Sequence, residues 1–545
     1  MASINPLNQI LGHRLAKHLL RRATFRYSKQ DIDDFATKTV SAAVDQLFLS
    51  IPDTLPEPQD PDDAVPFWIN NISPSNNISG DYRKRSYVRA AWLYNALNTL
   101  SIRHKMVHFL YNQFTINSND VSSTWFFDYL KILDFYAWGS VKDLTLKVTY
   151  SNPMLRYLDN RYNVKNRPNE NYARELLELF TIGKGPQIGP GNYTNYTEAD
   201  IVQAAKVLTG LRTEDTRTNI DTTTNIPTGQ VQFNLHDTTN KQFSNAFQNT
   251  VIIGATTVQD VEAEIVSFLT MIFNQRATAE NICRRLYRYF VHETITTEIE
   301  TDIITPMTNA LIQSNYVLEP VVKLLLKSQH FYDKDDTDAT NEIVGGIIKS
   351  PLQLLTEMVS LFDIDLPDPV TDARDFYRIF SHSFLVIRYF PSAGMIFFEP
   401  STVAGYPAYY QGPFYSKYWF DSSTIVARYK LFDSFLTGRN EVGGNRSLIG
   451  TTFDLVNFFT TSLIFTDRTN ATTVVTDFVH YLFPESMDTA RQSYFVNDIF
   501  LGGMMPYNWS NEWNNYLLSN DDSVIRPRLE TLFTFLVNSP EFQTH

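Results

Sequence analysis

Apolar residues return at three- and four-residue intervals in one segment after another of this chain, a period that points to packed helices. It is plain in "HRLAKHLLRRATF", where Leu15, Leu19 and Leu20 line one side, and in "SKQDIDDFATKTVSAAVDQLF", where Ser28 is placed to cap. It returns in "EADIVQAAKVLTGL", "VQDVEAEIVSFLTMIF", "AENICRRLYRYFV", "EPVVKLLLKSQHFYD" and "RPRLETLFTFLVNSPEF". Long helices are also expected from Tyr82 to about Phe114, followed by a buried aromatic-rich one in "TWFFDYLKILDFYAWGSVKDLTLKVTYS". No repeat of fixed period emerges. The fold class is therefore mainly α, a large multi-helix body.

Three stretches break the pattern. Residues 52–81, with "DTLPEPQDPDDAVP", read as an extended loop or linker, because proline cannot hold a helix interior. Residues 212–254 are rich in Thr, Asn and Asp, and carry β-prone pieces, "QVQFNL" and "TVIIG", that suggest a small hairpin. Residues 380–420 form an aromatic region too rich in Pro and Gly for regular structure. The chain then divides into N-terminal helices (1–51), the loop (52–81), a central helical core (82–211), the polar insert (212–254) and a C-terminal helical region (255–545).

At 545 residues, 43% hydrophobic and 19% charged, the sequence can bury a large core. A formal charge of -13 argues against nucleic acid as a general partner, since a polyanion rewards clustered Lys and Arg. The basic run from His13 to Arg22 is the main exception, and it reads as a solvated helix face. Cys283 is the single cysteine, which excludes an intrachain disulfide and a cysteine-based zinc site. Met1 to Asn8 lacks the pattern of a secretory signal, and no apolar run is long enough for a membrane span. No cofactor is indicated.

The densest polar cluster is "NENYARELLELFTIGKG", Asn169 to Gly185. On a helical wheel Glu170, Asn171, Arg174, Glu175 and Glu178 share one arc, opposite Tyr172, Leu176, Leu177 and Phe180. Asn169 is placed to cap the helix and Gly183 to end it. One reading is an ion-pair ladder through Glu170, Arg174 and Glu178. The other is a cleft in which Glu175 and Glu178 act as acid, base or metal ligands while Asn169, Glu170, Asn171 and Arg174 hold a ligand. His236 and Asp237, in "NLHDTTNKQF", could join that site as catalytic groups, or be an exposed loop pair. His104 and His108 have the spacing of helical zinc ligands, but Lys105 stands where a zincin needs glutamate, so a solvated face is expected. Tyr409, Tyr410 and Trp419 offer faces on which a sugar ring could stack. Phosphate-loop and nucleophile-elbow patterns are lacking.

Together, "KHLLRRATF", "RHKMVHFLYNQF", "SNPMLRYLDN", "NENYARELLELFTIG", "YTEADIVQAAKVLTGL", "HD", "IIKSPLQLL", "FEPSTVAGYP" and "SPEFQ" resemble, in order, the bacterial family catalogued as domain of unknown function 1800. The resemblance covers nearly the whole chain and implies a mostly helical fold without an agreed activity. Relatives often carry Trp-His-Asn-His-Phe where this chain has Leu110, Tyr111, Asn112, Gln113 and Phe114, so both motif histidines are replaced. Arg26 likewise stands for a turn glycine and Leu211 for a tryptophan. Relatives are often exported and lie beside sulfatase-like proteins, which implies work at the envelope. Three functions follow as expectations: a non-catalytic scaffold with protein partners, a hydrolase-like or metal-dependent enzyme, and a glycan-binding module.

Overall fold

Helices account for 57% of the computed structural model, and the strands of the described residues pair as short two-stranded ribbons. The described residues are 2–49, 55–62, 67–70, 81–335, 343–382, 384–443 and 446–545. Several helices begin where the sequence places a cap. Ser28, Thr197 and Thr257 each accept the amide three residues on, and Asp31, Asp200 and Asp260 reach back to the capping residue's own amide. These reciprocal boxes satisfy donors that the first turn leaves open.

Buried apolar side chains from Leu11 to Phe542 form one contiguous cluster. Of the Pro/Asp loop, 55–62, 67–70 and Asp81 are described; the first two stretches hold no helix, yet Leu55, Trp68 and Ile69 belong to the same cluster. Trp68 also donates its indole N–H to Ser123 Oγ at 2.9 Å. In the polar insert Lys241–Gln242 pairs antiparallel with Val251–Ile252, and Gln230–Val231 pairs with Leu211–Arg212. A further ribbon joins Gln187–Gly189 to Asn192–Tyr193. Cys283 is buried inside the Arg276–Phe290 helix.

Burial corrects two expectations. The polar side of the Gly12–Ala23 helix is not solvated: Lys17, His18, Arg21 and Arg22 are buried along with its leucines. Likewise His104, Lys105 and His108 are buried in the Arg103–Gln113 helix. From Leu15 onward in the first helix and from His104 onward in the second, every side is covered, so there the wheel separated two kinds of interior contact and not core from solvent; Gly12 and His13 stay exposed and Arg14 half-buried. The 380–420 region is more regular than its composition suggests, with wide or tight helical turns at Leu385–Tyr389, Pro407–Tyr409 and Tyr415–Trp419. Gly405 makes part of this possible. Its φ is +98°, and a Cβ there would lie 3.0 Å from the Asn112 carbonyl. That close approach lets the Tyr406 amide reach Asn112 Oδ1 at 3.3 Å, pinning the aromatic loop to the Arg103–Gln113 helix.

Candidate functional site

The Asn-Glu-Asn block starts as α-helix at Asn171–Glu175 and continues as π-helix over Leu176–Phe180. Asn169 accepts the Asn171 amide at 3.0 Å, and Gly183 closes the turn at φ +72°. Tyr172, Ala173, Leu176, Leu177 and Phe180 face the core, while Glu170, Arg174, Glu175 and Glu178 are half-buried and Asn171 is exposed. The expected Glu170–Arg174–Glu178 ladder is replaced in part. Arg174 grips Glu198 of the neighbouring Glu198–Val207 helix at 2.9 and 2.7 Å and lies 3.3 Å from Glu170, whereas Glu178 pairs with Lys184 at 2.5 Å. The widened turn breaks the i,i+4 register that would stack Glu178 on Arg174. Among the described residues Glu175 has no ion-pair partner, and burial together with the Glu178 charge raises its carboxyl above the usual range.

His236 and Asp237 are interior residues, not an exposed loop pair. The His236 ring lies between the Thr209 carbonyl, 2.8 Å from Nδ1, and Glu264 Oε2, 3.0 Å from Nε2. Glu264 also holds Lys241 at 2.6 Å and accepts the Ala255 amide at 2.7 Å. His236, Glu264 and Lys241 have side chains no more than 1% exposed. Asp237 turns aside to the Thr239 amide at 2.8 Å, and Lys241 donates to its carbonyl. His236 and the carboxylates of the signature helix therefore hydrogen-bond to separate partners. Among the described residues no group of three or more His, Cys, Asp or Glu is placed to hold a metal ion.

A third polar assembly lies under the aromatic loop and gathers residues from three of the quoted motifs. Glu357, fully buried, holds Arg21 Nε at 3.0 Å and Lys349 Nζ at 3.1 Å. Burial pushes the Glu357 carboxyl up, but Arg21 and Lys349 together hold it below its usual value. Lys105 donates to Gln353 Oε1 and lies 4.4 Å from the centre of the Phe25 ring. Burial, reinforced by Arg22, lowers its ammonium to about 7, and burial brings Lys349 to about 7 against the pull of Glu357. The His545 ring is held far below its ordinary value by burial and then by Arg22, Lys105, Lys349 and Arg21. Lys105, Gln353 and His545 line a cavity of about 30 Å³, roofed by Tyr409 and Trp419.

The roof limits what the aromatic loop offers a ligand. Trp419 is buried, and Tyr409 and Tyr410 are half-buried. Tyr409 packs 5.3 Å from Tyr289 and 5.7 Å from His108, centre to centre, and Tyr410 shares a 2.9 Å hydrogen bond with Thr402. His108 itself lies 2.9 Å from the Tyr289 hydroxyl.

Lys105, Lys349, Gln353 and Glu357 were not singled out as site residues by sequence reasoning. A signal existed: Gln353, Thr356 and Glu357 sit three and four residues apart in the mostly apolar Pro351–Leu361 helix. Polar groups at helical spacing inside a buried helix must find interior partners.

No curated protein and no solved structure matches this chain. A family described as "Protein of unknown function (DUF1800)" matches residues 18–544, which spans every motif located above except the first residues of the opening helix. The chain belongs to that family.

Proposed function

We propose that this chain is a non-catalytic helical scaffold, an assembly component acting at or near the cell envelope. The observation that carries the reading is how fully three of the four candidate catalytic groups, Glu178, His236 and Asp237, are engaged. Both ring nitrogens of His236 and both oxygens of Glu264 serve interior partners, and Arg174 and Glu178 are bound to Glu198 and Lys184. The envelope setting rests on the family resemblance alone. Support for assembly comes from the outer stripe of the Pro506–Ser519 helix, where Tyr507 is 62% exposed and Leu518 87%, flanked by Met505 and Val524. Large exposed apolar side chains that share one helix face, here interleaved with Asn511 and Asn514, suit a protein contact. Light scattering across a concentration series tests it: the wild-type chain should associate, and Tyr507→Asp with Leu518→Asp should give a monomer of unchanged Tm. A wild-type chain that stays monomeric throughout would count against this surface.

Glu175 favours a second reading, a hydrolase-like or metal-dependent enzyme. Its raised carboxyl and lack of an ion pair among the described residues suit a proton donor. Glu175→Gln separates the two readings. Under the scaffold reading, cellular function survives with the melting temperature unchanged; loss of function at unchanged Tm would favour the enzyme.

A further inference from the structure

Around the Lys105 cavity, positive charge outnumbers negative. Arg21, Arg22, Lys105 and Lys349 all act on the His545 ring and Arg288 lines the cavity, yet the carboxylates that answer them are Glu357, already held by Arg21 and Lys349, and Glu293 in the cavity lining. Polar atoms are also left over. Gln353 Nε2, His545 Nδ1 and the Nε and Nη1 of Arg22 have no hydrogen-bond partner, although Gln353 and Arg22 are 1% exposed and His545 8%. Native interiors rarely strand so many polar groups at one place, and stranded cations are the costliest kind. A lone water could take one or two of these hydrogen bonds but could not balance the charge.

We propose that the cavity bounded by Lys105, Gln353 and His545 is a binding site for a small oxyanion of phosphate or sulfate size. Lys105 has two N–H groups beyond the one given to Gln353, and Gln353 presents its free amide N–H to the same space. His545 adds a ring nitrogen, and Arg22 lies behind as uncompensated charge. The mouth is compatible with an anion. Arg288 stands there, and the nearby carboxylate, Glu293, is already occupied by the Ser416 hydroxyl at 2.8 Å and amide at 3.1 Å. The polar walls come from elements far apart in sequence, so a bound oxyanion would tie the Arg103–Gln113 and Pro351–Leu361 helices to His545. This site is internal and separate from the assembly surface, and either can fail without the other.

Calorimetric titration and thermal melting of the full chain at pH 7 test the proposal, with sodium phosphate, sulfate, acetate and chloride compared at matched ionic strength. Phosphate or sulfate should bind with saturation and raise Tm by a few degrees over chloride; a response confined to acetate would reassign the site to carboxylates and overturn the tetrahedral assignment. Lys105→Met should weaken oxyanion binding by about tenfold or more. Gln353→Glu places a carboxylate where the ligand's charge would lie, and should abolish the response while raising Tm in chloride. Equal effects of all four salts, or a Lys105→Met chain that binds phosphate as the wild type does, would overturn the site. Should Lys105→Met fail to fold, the wild-type titration and Gln353→Glu still decide.

Discussion

Glu264 shows what a single buried carboxylate does here. One oxygen meets His236 and the Ala255 amide, the other meets Lys241, and all three side chains are closed off from solvent. Removing the charge would leave the interior Lys241 with only the more distant Asp237, 3.9 Å away, as counter-ion, and breaking a buried pair typically costs about 3–5 kcal/mol. Glu264→Gln is thus expected to lower Tm strongly in denaturation experiments, well beyond the effect of Arg174→Ala at the half-exposed Glu198 pair, which should stay within about 1 kcal/mol. The buried lysines make a second prediction. Burial lowers Lys17, Lys105 and Lys349 from 10.5 to about 7. Between those values the unfolded chain binds more protons than the folded one, so these groups make stability rise with pH from about 7 to 9. Each contributes up to about 1.4 kcal/mol per pH unit. Denaturant melts across that range should show the rise, and Lys105→Met should flatten it; stability falling through the same window would contradict the buried, depressed state of these lysines.

At the level of elements, capping and periodicity were readable, and burial of polar faces was not. Ser28 caps as its sequence context requires, because that hydrogen bond is local. The π-turn at Leu176–Phe180 depends on what packs around it, and no spacing rule anticipates it; with it went the Arg174–Glu178 pair and the simple wheel. The Gly12–Ala23 helix misled for a related reason. Arg21 and Arg22 look like a water-facing side until Glu357, over three hundred residues later, supplies the interior partner for Arg21. His236 was legible as a motif position, but its partner Glu264 lies in the Val258–Phe273 helix, where a lone Glu looks like any surface residue. The hairpin Lys241–Ile252 that carries this partnership has a tight closing point at Gly254. A Cβ there would sit 2.2 Å from the Thr238 carbonyl oxygen. Gly254→Ala should therefore force the backbone apart and lower Tm, and a variant melting with the wild type would show the approach to be looser than described.

Across the whole molecule, the mainly-α class and the order of motifs were legible because they depend on periodicity and sequence alone. Convergence was not: Arg21, Lys105, Lys349 and Gln543 come from four separate motifs, yet Lys349 donates to Phe542 and Arg428 to Gln543 within one interior. That single core, running from Leu11 to Phe542, also encloses Cys283, the one thiol in the sequence. Burial pushes that thiol up to about 12, so at neutral pH it is neither reachable nor ionised in the folded chain. The protein thus carries a built-in clock. A thiol-reactive dye can label it only when the Arg276–Phe290 layer opens, and labelling rate, followed by mass spectrometry over rising denaturant, would report the free energy of that opening at one known address. Native-state labelling at the speed of a free thiol would mean that this layer is open to solvent.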